Sequence, residues 1–231
     1  MTISRASGFP VGGGDSSSGG VTSVTVSPAA IGDLVIVSVF IGSASITVSG
    51  MSGGNATGWA RAEGFTDSTS TTRAEIWTAT ATATGSAAVT VTFSASISTT
   101  FVEIDADSLH SSTGGTWSVV ASGGQHDASG TSNAFPSLTA TVTGQAYWGI
   151  NSPQNTPSAG GDSGFTYNLL DSSFVVTALN VNVTAGTVAP SSAQSPTGTA
   201  TIVAIIVTAA ATALAPPPYI VRQAVKRAAF Y

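Results

Sequence analysis

Apolar and polar positions alternate along several stretches of this chain with the period of two that marks a β-strand. The clearest case is AAVTVTF (87–93), where Val89, Val91 and Phe93 face one way and Thr90 and Thr92 the other. RAEIWTAT (73–80) places Ala74 and Ile76 on one face and Glu75 and Trp77 on the opposite one. LVIVSVFI (34–41) is apolar on both faces and predicts a central strand of a sandwich. TFVEID (100–105) predicts a further strand. Pro28 and Gly32-Asp33 mark a turn between the first strands.

The second half follows the same order. Residues 135–143 lead into Gly144 and a strand over 145–150, as 21–26 lead into Gly32 and 34–41. Gly164-Phe165 matches Gly58-Trp59, 174–183 matches 73–80, and TATIVAIIVT (199–208) matches 98–105. The identities are sparse, so the match is one of pattern: a pseudo-repeat of 21–107 and 135–208. The expected architecture is all-β: a single jelly-roll-like β-sandwich over 21–214, its two halves facing one another. Residues 1–20, with VGGGDSSSGG over 11–20, predict a flexible N-terminal segment. Residues 215–231 predict a proline-rich linker, from Pro216-Pro217-Pro218, and a C-terminal arm. In that arm Tyr219, Ile220, Val221, Val225, Phe230 and Tyr231 supply apolar contacts and Arg222, Lys226 and Arg227 charge, a pattern suited to docking on a partner.

Composition narrows the function. Charged residues are only 7%, against roughly a quarter in ordinary globular proteins. Too few are available to solvate the outer faces of helices, which reinforces the β reading. Residues 1–221 hold three basic side chains (Arg5, Arg61, Arg73) and all eleven acidic ones, a balance of −8 that disfavours nucleic acid. The absence of cysteine excludes disulfides and thiolate chemistry. The stretch 200–215 is apolar but interrupted by Thr201, Thr208 and Thr212, and at 16 residues is short of a spanning helix, so no membrane insertion is expected. The N-terminus shows no signal-peptide pattern.

Catalytic signals are weak. The histidines are His110 and His126, and His126-Asp127 lies in a glycine- and serine-rich stretch expected to be a loop. A G-x-S-x-G elbow is missing, no motif nominates a glycosidase pair, and Gly12-Gly13-Gly14 lacks the Lys-Ser/Thr of a phosphate loop. The chain is therefore expected not to be an enzyme, and a carboxylate pocket around His126 is what would revive a hydrolase. Glu103, Asp105 and Asp107, at spacing two, line one face of a strand; they are the calcium candidates, against the plainer reading of acids on a wet edge where the strand ends near Asp105. No other cofactor is implied. Trp59 and Trp117, near glycines, are candidate sugar-stacking residues, whereas Trp77 and Trp148 lie inside strand patterns and read as packing.

The run Ile31-Gly32-Asp33-Leu34-Val35-Ile36-Val37, then Gly58-Trp59, Arg73-Ala74-Glu75-Ile76-Trp77 and Ala88-Val89-Thr90-Val91-Thr92-Phe93, resembles a β-sandwich module of tailed-bacteriophage structural proteins. The proline run followed by Arg227-Ala228-Ala229-Phe230-Tyr231 is similar to the ends of minor tail proteins of actinobacterial phages. Gly144-Gln145-Ala146-Tyr147 departs from a second copy of the glycine-aspartate strand motif. The resemblance implies a virion protein, in a minor tail or capsid-decoration position, exposed on the released particle. Its partners would be other virion proteins and copies of itself, with a host surface glycan as the alternative ligand. It implies no catalytic residues.

Overall fold

The computed structural model describes residues 2–6, the backbone of 15–18, and residues 20–169 and 175–210. The docking residues expected between Tyr219 and Tyr231 lie outside the described residues. Among the described residues there is no helix, and the strands pair antiparallel throughout.

The first half builds two sheets. One runs β9 (Phe101–Ser111), β4 (Leu34–Ile41), β7 (Thr72–Ala81), β6 (Ala56–Asp67), with β1 (Ile3–Arg5) and β2 (Asp15–Ser18) both paired to the outer edge of β9. The other runs β3 (Ser23–Val26), β8 (Ala87–Phe93), β5 (Val48–Gly53). The second half repeats the scheme. Its large sheet runs β17 (Ser191–Ala210), β12 (Gln145–Pro153), β15 (Val176–Val183), β14 (Thr166–Leu169), with β10 (Thr116–Ala134) on the free side of β17 and β13 (Thr156–Ser158) added to β17. Its small sheet pairs β11 (Leu138–Ala140) with β16 (Gly186–Val188). The orders β9-β4-β7-β6 and β17-β12-β15-β14 thus correspond strand for strand. Gly32 and Gly144 occupy the same turn in each half, both with positive φ (89° and 95°), and each donates its N–H to the end of the strand that pairs with the one it precedes, Ala81 O on β7 at 2.9 Å and Val183 O on β15 at 3.0 Å. Glycine is the residue that reaches this backbone region without steric cost.

The all-β sandwich expected from the strand pattern is what the chain forms, with a layering the pattern did not contain. A jelly-roll order within one two-sheet sandwich is not established by these pairings. They describe two sandwiches stacked through their large sheets, giving four layers and three cores. Val35, Val37, Val39 and Ile41 of β4 pack with Val24, Val26, Val89 and Val91 under the first small sheet. From the other face of β4, Leu34, Ile36 and Phe40 meet Trp148, Ile150, Val203 and Ile205 of the second half. Beyond that, Tyr147, Ile202, Ala204 and Ile206 pack with Phe135 and Leu138 over the outermost sheet. Inner sheets are covered on both faces, which is why 34–41 and 202–207 are apolar at nearly every position. Each fully buried aliphatic side chain contributes about 1.5–3 kcal/mol relative to exposure.

Three expectations are corrected. The N-terminal segment is not wholly flexible: Ile3–Arg5 pairs with Leu109–Ser111, and Asp15–Ser18 with Phe101–Ile104. Main-chain hydrogen bonding to an open edge needs no apolar side chains, so glycine and serine content misreads it. The stretch around His126-Asp127 is not a loop, because β10 runs through it in register with β17. The strand carrying Glu103, Asp105 and Asp107 does not end near Asp105 but continues to Ser111, paired on β4.

The seam between the halves includes a close crossing of β10 over β6. A Cβ at Gly124 would lie 2.3 Å from Phe65 Cβ, inside any van der Waals contact. Gly124→Ala is expected to cost about 1–3 kcal/mol by overpacking this crossing, read as a lower urea midpoint with an unchanged m-value.

Candidate functional site

Strand alternation on β9 sends Val102, Ile104 and Ala106 into the first core and Phe101 and Leu109 towards the second half. Glu103, Asp105 and Asp107 share the parity of Phe101 and Leu109, and all three are buried. The wet-edge reading therefore fails: the row sits on a face covered by the other half. Arg5 on β1 reaches it, with Nε 2.7 Å from Asp107 Oδ2, and the Ser108 N–H donates to Asp107 Oδ1 at 2.7 Å. Burial, reinforced by the charges of Asp107 and Glu103, pushes the Asp105 carboxyl up to about 8, so it carries a proton at neutral pH. Burial also raises Asp107, against the pull of Arg5.

The calcium expectation is not met by this geometry. Alternate residues of a strand stand about 7 Å apart, so the carboxyls run along β9 and do not converge on one point. Among the described residues no group of three His, Cys, Asp or Glu side chains is placed to hold a metal ion.

His126 does find a carboxylate, and it is not that of its neighbour Asp127. Its Nδ1 lies 2.7 Å from Asp67 Oδ2 at the end of β6, across the seam. Thr201 on β17 donates its hydroxyl to the same oxygen at 2.9 Å, and the Thr69 and Ser70 N–H groups bind Asp67 Oδ1 at 3.0 and 3.1 Å. Burial alone would raise the Asp67 carboxyl; the hydrogen bonds from His126, Ser70 and Thr201 outweigh it and hold the group down to about 2. A hydrolytic triad runs hydroxyl to imidazole to carboxylate. Here imidazole and hydroxyl both bind the carboxylate, an arrangement that ties β6, β10 and β17 together and leaves Thr201 without a base. His110 is held alike, with Nδ1 2.7 Å from Asp33 Oδ1, while Asp33 Oδ2 accepts the Ala29 and Ala30 N–H groups. Sequence reasoning missed Asp67 and Thr201 as partners of His126. The run Asp67-Ser68-Thr69-Ser70 is an Asx-turn signature, but nothing in it points 59 residues ahead.

Trp59 and Trp117 are half-buried and pack on the first and second cores. Their indole N–H groups donate to the Gly53 and Gly32 carbonyls at 3.3 and 2.8 Å. Each indole N–H is thus taken up by a backbone carbonyl, and each ring is partly covered by core residues. Trp148 is fully buried and donates to Ser38 Oγ at 2.8 Å across the two large sheets.

A cleft of about 560 Å³ opens at one end of the seam. The ends of β4 and β12, the β6–β7 turn, the start of β9 and the middle of β17 line it. Phe40 and Phe101 form an aromatic pair there, with ring centroids 6.1 Å apart and planes at 59°. Hydroxyls from the two halves meet along its wall: Ser70 with Thr199 at 3.2 Å and Thr72 with Thr201 at 2.6 Å. Sequence reasoning did not single out this cleft, since its residues come from five separate segments.

Two pH dependences follow with opposite signs. The folded state keeps the Asp105 proton between about pH 4 and 8 while the unfolded chain has lost it, so this group makes stability fall as pH rises through that window, by up to about 1.4 kcal/mol per pH unit. Asp105→Asn should flatten that slope and raise the chemical midpoint at pH 8 above that of the unsubstituted protein. The Asp67 contribution is present above about pH 4 and lost as pH falls towards 2. Asp67→Ala should lower stability at pH 7 by about 3 kcal/mol in urea titrations, and by much less at pH 2.

Comparisons with protein-family models, curated proteins and solved structures return no match for this chain.

Proposed function

We propose that the protein is a non-enzymatic structural component of a tailed-phage virion, in a minor tail position or, as the close alternative, a capsid decoration position. The observation that supports this best is where its few charges lie. Asp33, Asp67, Glu75, Glu103, Asp105 and Asp107 are all buried, six of the eleven acidic residues in the chain. Glu75 is locked by Arg73 Nε at 2.5 Å, the Trp77 indole N–H at 2.8 Å and the Val48 N–H at 3.1 Å. Ionisable groups thus act mainly as struts between strands, and the outer surface is left to serine, threonine, glycine and alanine. A body of this kind interacts little through long-range electrostatics and keeps its shape across changes of salt. That suits a passive part of a particle released into variable surroundings. In this reading the segment 215–231, with its apolar and basic residues, docks the body on neighbouring virion proteins or on copies of itself.

Mass spectrometry of purified particles separated into heads and tails tests the assignment. Enrichment with tails is the expected result, enrichment with heads would make it a decoration protein, and absence from both would refute the virion reading. A chain lacking residues 216–231 is expected to fold with the melting temperature of the full chain and to be missing from particles.

A further inference from the structure

We propose that the cleft at the seam between the two halves is a binding site for a neutral saccharide ring. This goes beyond the virion assignment and does not depend on it. The volume, about 560 Å³, falls within the range of small-molecule sites. None of the described residues lining the cleft carries an ionisable side chain. The Asp67 carboxylate, buried next to the lining residue Thr201, has the oxygen that meets Thr201 also bound to His126. A phosphate or an acidic sugar entering here would lose its hydration with no opposite charge to replace it. A wholly apolar ligand would instead strip water from the Thr72, Thr199 and Ser70 hydroxyls and from the Gln154 amide without replacing those hydrogen bonds. A pyranose answers both constraints. Its C–H face suits the Phe40–Phe101 pair, and its hydroxyls donate to and accept from a rim of hydroxyl and amide groups. Threonine and serine hydroxyls, which both donate and accept, can re-pair with a ligand as easily as they now pair across the seam. Trp59 and Trp117, engaged elsewhere, contribute nothing to this site.

Saturation-transfer NMR on the full chain tests the proposal, with the methyl glycosides of glucose, galactose, mannose and N-acetylglucosamine as probes and glucuronic acid as the charged control. At least one neutral glycoside is expected to give a signal and glucuronic acid none. Gln154→Trp, which fills the mouth from an exposed position, should weaken that binding by about tenfold or more with an unchanged melting temperature. Thr69→Trp, at another exposed position of the lining, makes the same block should the first variant fail to fold. Silence from all four neutral glycosides, binding that survives the folded blocking variant, or an equal signal from glucuronic acid would each overturn the proposal.

Discussion

The central strands of the two large sheets are apolar on both faces, and the rest of the structure answers that constraint. A sheet with one apolar face is satisfied by one covering layer; β4, β12 and β17 need two. Each half supplies one cover itself, a small sheet of two or three strands. The second cover can come only from the other half, so the large sheets close on each other through Ile36, Ile76, Trp148, Ile150, Val203 and Ile205. Neither half could leave that face in water without exposing a continuous apolar surface. The Trp148 indole, fully buried there, finds its acceptor in Ser38, a polar position inside an otherwise apolar strand.

That closure also explains where the charges sit. The face of β9 turned towards the second half carries Glu103, Asp105 and Asp107, and only Arg5 from the short strand β1 is paired with the row by a described salt bridge. The row is electrostatically unfavourable, and holding Asp105 in its neutral form relieves it. Asp67 is the opposite case. It is ringed by donors from both halves and stays ionised far into acid, acting as a tie across the seam. The two groups give the fold one contribution that falls as pH rises from about 4 to 8 and another that is lost as pH drops from about 4 towards 2, for separate physical reasons.

The cleft is a by-product of the same stacking. Where β4 and β12 end, the large sheets no longer fill the space between them, and the β6–β7 turn reaches towards β17. Its walls are made of what this chain has in abundance, hydroxyl-bearing side chains, over a floor of two phenylalanines. Structural and binding roles are thus compatible: the seam that holds the halves together also creates a cleft lined by the Phe40–Phe101 pair.

Local pattern determined the β class, the turn at Gly32 and the parallel order of features along both halves, because period-two alternation and left-handed glycines are short-range properties of the chain. The two-faced apolarity of 34–41 was equally legible as a sign of double coverage. What covers each face was not, since alternation says that a side is buried and not by what. The same limit hid the fate of Glu103, Asp105 and Asp107, which read as a wet edge until the second half is laid over β9. It hid the partner of His126, which local order pairs with Asp127 and the fold pairs with Asp67. Trp59 and Trp117 looked free because their neighbours are glycines, and the tertiary structure gave each indole a carbonyl acceptor. Residues 1–20 looked unstructured because side-chain composition says nothing of an open strand edge elsewhere. Sequence by itself determined the β class and the apolar strands of this protein; tertiary structure alone decided the layers and their stacking, because burial, charge pairing and cleft formation depend on residues far apart in the chain meeting across a seam.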